Sequence, residues 1–127
     1  MHMNRQTLAL GILVFAAAGH AQAAETRDAK ACRALQAAIA PKQAGIADLT
    51  EARDASVELA ETAGQAWDDV EILRLVSKAH AEAADREKAL YEAAREKLAS
   101  DELALQDAVQ EFNAEVSKFN ARCVPKR

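Results

Sequence analysis

Few residues in this 127-residue chain have types and spacings that could do chemistry. Cys32 and Cys123 are its two cysteines. They stand too far apart for a redox Cys-x-x-Cys pair or a haem attachment site. In an exported chain the oxidising compartment favours a structural disulfide between them, with two free thiols or an intermolecular bond as the other readings. His80 has Glu87 one heptad away, while Glu82 points elsewhere on a helix. Zinc needs three or four converging ligands, and this spacing offers no such set, so His80 reads as a surface or half-buried residue and no metal site is expected. No serine has a histidine and an acid at a recognisable spacing, and no glycine-rich phosphate loop exists. The expectation is a protein that is not an enzyme and takes no cofactor. The remaining charged pattern is Glu51, Asp54, Glu58 and Glu61, whose steps of three, four and three put them on one helix face. Such a face is either solvated or able to mask a basic partner.

The elements that must position these residues begin after a leader. Arg5 gives a positive start, Leu8 to Ala18 is an unbroken apolar run, and Ala21-Gln22-Ala23 supplies small residues for cleavage. This is the secretory signal layout, and the apolar run is shorter than the ~20 residues a spanning helix needs. The expected organisation is a cleaved signal peptide at 1–23 and one domain at 24–127, in the periplasm or secreted, with no membrane attachment after cleavage near Ala23. The chain has 16 basic and 20 acidic residues, and losing Arg5 with the leader makes it more acidic still. That argues against nucleic acid and against adhesion to an anionic membrane, both of which need a basic surface.

Beyond the leader only two glycines and two prolines interrupt the chain, and alanine supplies much of the apolar content. Alanine is the best helix former but contributes little burial per residue. The fold class is therefore all-α. The clearest seam is Leu105, Val109, Phe112, Val116, Phe119 and Cys123, at alternating steps of four and three. Cys32, Leu35 and Ile39 begin another, and Ile46, Leu49, Leu59 and Ala63 continue inward. A third seam takes Trp67, Val70, Leu73, Val76, Ala79 and Ala83, carried on by Leu90, Ala94 and Leu98. With Ile72 and Leu75 the stretch from Val70 to Val76 is apolar on more than one side, so it is the middle of a bundle or a docking surface. Asn113 and Asn120, beside Phe112 and Phe119, suit interhelical hydrogen bonds that fix register, or a ladder read by a partner helix.

Turns are expected at Pro41, which lacks a donor, and at Ser100, which opens Ser-Asp-Glu. At Gly64 local signals are divided, because a helical glycine costs only about 1 kcal/mol. Helical rise then weighs the topologies. With turns at Pro41, Gly64 and Ser100, Cys123 and Cys32 lie roughly 17 Å and 21 Å above the Gly64 end, near enough to bond. Removing the Gly64 turn alone separates them by about 40 Å. The expected fold is an up-down-up-down four-helix bundle of unequal helices, antiparallel with coiled-coil-like seams and one disulfide. Its third helix would overhang as a spur.

Leu49-Thr50-Glu51-Ala52-Arg53 resembles, in its first two residues, the Leu-Thr-x-x-Gln motif of small helical periplasmic chaperones and envelope stress sensors. Arg53 stands where those families have glutamine, and their second copy of the motif has no counterpart, so no membership follows. The functional expectation is a non-enzymatic protein-binding or structural module, acting through Trp67, Val70, Ile72 and Leu75 or through the spur. A chaperone shielding unfolded clients, and an inhibitor or immunity protein using the acidic face, are the alternatives. The partner expected is a protein. Self-association is a further reading, because a long seam with few bulky residues can be completed by a second chain.

Overall fold

A three-four alternation runs without interruption from Cys32 through Leu35, Ile39, Lys42, Ile46 and Leu49 to Val70, and every residue on it is wholly or partly shielded from solvent. That repeat is what a helix needs to face one partner along its whole length. In the computed structural model, which describes residues 27–126, it forms a single helix, α1 (Arg27–Glu71). A second stripe of the same kind, from Ala84 to Phe119, lies on α2 (Lys78–Cys123). The two helices have 45 and 46 residues, about 67–69 Å at helical rise. They pack antiparallel along their length as one hairpin, closed at its open end by the Cys32–Cys123 disulfide, with S–S 2.03 Å and Cα–Cα 5.7 Å.

Among the described residues the fold is therefore two helices, and the expected four-helix bundle is not what a single chain forms there. None of the three expected turns occurs, and with them goes the overhanging spur. Pro41 sits inside α1 on the exposed side. The helical bond it cannot donate would have ended on Ala37, also exposed, whose carbonyl water can serve. Gly64 is helical for a packing reason. A Cβ there would stand 3.0 Å from Cε2 and 3.3 Å from Cδ2 of Tyr91, so the missing side chain is what admits the Tyr91 ring. Ser100 lies within α2 with no break. Among the described residues the turn between the helices falls at 72–76, inside the stretch expected to be either the middle of a bundle or a docking surface. The leader and its cleavage site near Ala23 lie outside the described residues.

Packing is close and shallow. Ala60, Ala84 and Ala94 are the buried apolar residues, Ser56 is buried with them, and no large side chain among the described residues is fully enclosed. Small residues let the two backbones approach, but a hairpin covers only one stripe of each helix. Leu59 and Leu90, expected in the seam, are 53% and 59% exposed instead.

A polar layer interrupts the seam near its middle. The Ser56 hydroxyl donates to Asp101 Oδ2, and Lys97 Nζ lies 2.7 Å from the same oxygen. These two bonds, Lys97 first, hold the Asp101 carboxyl below the usual carboxylate range. Arg53 Nε sits 2.8 Å from Asp54 Oδ1, though not aligned for a hydrogen bond. A polar pair inside the seam, here buried Ser56 with half-buried Asp101, matches only itself when helices slide and so favours this register. Asn113 and Asn120, expected in that role, are exposed.

Candidate functional site

The closed end of the hairpin is built from the last turn of α1, the loop 72–77 and the first turns of α2. Three successive short backbone bonds shape it: Leu73 N to Val70 O, Arg74 N to Glu71 O and Val76 N to Leu73 O, at 2.9–3.1 Å. Ser77 then caps α2, its hydroxyl accepting from His80 N at 3.3 Å and lying 2.7 Å from His80 Nδ1. None of these residues has positive φ, so the chain reverses without a glycine.

Beneath the loop lies a clamp. Arg74 donates through Nε and Nη2 to both oxygens of Glu71 at 2.8 Å, and through Nη1 to Asp85 Oδ1 at 2.7 Å. One guanidinium thus ties the end of α1 to α2. Trp67 Nε1 donates to Glu71 Oε2 at 2.9 Å, while its ring lies 5.5 Å from that of Tyr91 and carries Lys88 above it. The Arg74 and Trp67 hydrogen bonds lower the Glu71 carboxyl, and Glu71 and then Asp85 raise the Arg74 guanidinium. Planar, two-pronged pairing of this kind fixes orientation as well as charge.

Above the clamp the loop presents apolar side chains to solvent: Ile72 is 82% exposed, Leu75 97% and Val76 64%, with Leu73 at 41%. Of the expected partner-binding residues, Ile72 and Leu75 stand on this tip, whereas Trp67 and Val70 are half-buried below it as support. Asn113 and Asn120 lie on α2 far from it, toward the open end. Glu51, Asp54, Glu58 and Glu61 are all exposed, on a separate face of α1. Sequence reasoning missed Arg74 and Asp85, whose partnership depends on a turn that the local residues do not announce.

A second apolar feature runs beside the seam. It is an open groove with Leu59, Ala63 and Ala66 on one wall and Leu90 and Ala94 on the other, and Glu87 and Lys97 at its two ends. Among the described residues no group of three or more His, Cys, Asp or Glu side chains is placed to hold a metal ion, and no helix is long and apolar enough to cross a membrane. No protein-family model, no curated protein and no solved structure matches the chain.

Proposed function

We propose that the chain is a non-enzymatic protein-binding module of the periplasm or extracellular space, and that its working part is the hairpin tip. One observation carries this reading: Ile72, Leu75 and Val76 stand in water on a loop whose geometry is fixed from below by Arg74. Isolated exposed apolar residues need no explanation, but a cluster on a braced projection suits insertion into an apolar cleft. The disulfide supports an oxidising compartment, as export with cleavage near Ala23 would provide. A photo-reactive amino acid in place of Leu75 tests the proposal in cells. It should crosslink one discrete protein, the same probe at exposed Asp107 should not, and Ile72→Ser with Val76→Ser should abolish the product without lowering the melting temperature. Equal labelling from positions 75 and 107 would sink the idea. A smear of many unfolded clients from position 75 alone would move the reading to the chaperone alternative.

The exposed acidic face favours a second reading, an inhibitor or immunity protein that covers a basic enzyme. Salt separates the two, because acidic docking weakens steeply as ionic strength rises and apolar docking does not.

A further inference from the structure

The open groove has a symmetry of its own. On α1 its wall runs from Leu59 to Ala66, and on α2 from Leu90 to Ala94, with a large residue at one end and a small one at the other. The midpoints of the two walls stand at nearly the same height on the hairpin, since Gly64 and the Tyr91 ring face one another there. Glu87 and Lys97 lie at equal distances on either side of the α2 midpoint. A single two-fold axis at that height, perpendicular to the helices, lays α1 on α1 and α2 on α2 of a second copy, all antiparallel. It seats Leu59 against the other copy's Ala66, Leu90 against its Ala94, and Glu87 against its Lys97, each contact occurring twice.

We propose that this groove is the contact between two copies of the chain, which together form an antiparallel four-helix bundle around it. Three observations identify the occupant. The charges at the groove's ends are opposite and symmetrically placed, so the surface complements itself. Large residues meet small ones under the same operator, which lets the layers interdigitate. The lone hairpin leaves Leu59 and Leu90 more than half exposed and encloses no large side chain, a deficit that a second hairpin on this face removes.

Charge reversal tests it. Sedimentation of residues 24–127, with the disulfide formed, should give a dimer. Glu87→Lys and Lys97→Glu, each checked for helicity by circular dichroism, should each be monomeric, since each sets like charges together twice. An equimolar mixture of the two should recover the dimer, because the mixed pair restores both opposite-charge contacts. A wild-type chain that stays monomeric at every concentration would overturn the proposal, and so would single variants that dimerise like wild type or a mixture that remains monomeric. Lys97→Glu also sets a second acid beside Asp101. If that variant loses its helicity, Leu90→Glu, at a position 59% exposed, replaces it, and a retained dimer there overturns the proposal equally.

Discussion

Removing the Cys32–Cys123 bond should cost this protein a large share of its stability, and the cost should be unevenly distributed. The bond joins residues 91 positions apart. Closing a loop of that length in the unfolded chain corresponds to about 4 to 5 kcal/mol in the chain-entropy treatment, an upper figure. Domains of this size typically have ~5–15 kcal/mol in all. With no fully enclosed large side chain among the described residues, this hairpin has little burial to set against the loss. At ~4–8 °C per kcal/mol the melting temperature should fall by tens of degrees. The turn at 72–76 and its Arg74 clamp are untouched by reduction, so the helices should separate from the open end first. Circular dichroism melts of wild type and of Cys32→Ala with Cys123→Ala give the first quantity. Hydrogen exchange gives the second: protection should be lost most around Leu35, Ile39 and Phe119, and least around Trp67 and Tyr91, roughly 40–50 Å away along the helices. A melting temperature within a few degrees of wild type would refute the energetic argument. An equal gain in exchange along the whole hairpin would refute the claim that it opens from one end.

Two further outcomes follow from the packing and the charges. Glu71 and Asp101 titrate below their ordinary values of 4.5 and 3.8, so each stabilises the folded chain fully above those values and loses that contribution as pH falls through its lower, folded one. Urea midpoints should therefore not change on their account from neutral pH down to about 5 and should drop on further acidification, and Glu71→Gln with Asp101→Asn should flatten that acid limb; an unchanged limb would show that other groups set it. Gly64→Leu should destabilise the hairpin by about 1–3 kcal/mol despite leucine's better helix propensity, because its side chain must enter the space of the Tyr91 ring. A rise in the urea midpoint for Gly64→Leu would mean the ring moves aside freely.

The stripe ending at Cys123 is legible in the sequence because a helix facing one partner must repeat its apolar positions every three or four residues, and Leu105 to Cys123 do. The cysteine pairing is legible from the leader-like amino terminus, whose pattern implies an oxidising compartment. The number of helices is not, and the reason is instructive. Rise fixes the difference between the lengths of chain running up and down between two bonded residues; it does not fix how many times the chain turns. Four unequal helices satisfy it, and so does one turn near the midpoint of Cys32 and Cys123, where 72–76 lies. Turn chemistry points away from that midpoint, since glycine, proline, asparagine and aspartate are absent from 72–77. It points instead to Pro41 and Gly64, whose places inside α1 are explained by the solvent exposure of Pro41 and by the room that the Tyr91 ring needs at Gly64. Ser77 is the one conventional signal, a helix cap followed by His80 and Ala81 in the first turn.

A loop with no glycine, proline, asparagine or aspartate is held by something other than its own backbone preference, and here that is Arg74. Its fork grips Glu71 from the last turn of α1 and Asp85 from the second turn of α2, which does from the side what a glycine would do from within. Folding alone does not require Ile72, Leu75 and Val76 at this place. Polar residues would serve the same reversal, and they would not leave apolar side chains in water, where each forgoes about 1.5–3 kcal/mol of burial. Because the clamp already orders the loop, an occupant that covers these side chains would recover much of that energy while losing little conformational freedom in this chain. Apolar content without a packing role, on a projection braced by a charge network, is the combination expected of a surface kept for docking. The alanine seam explains why the helices meet, and the tip is the part of the hairpin that the seam does not explain.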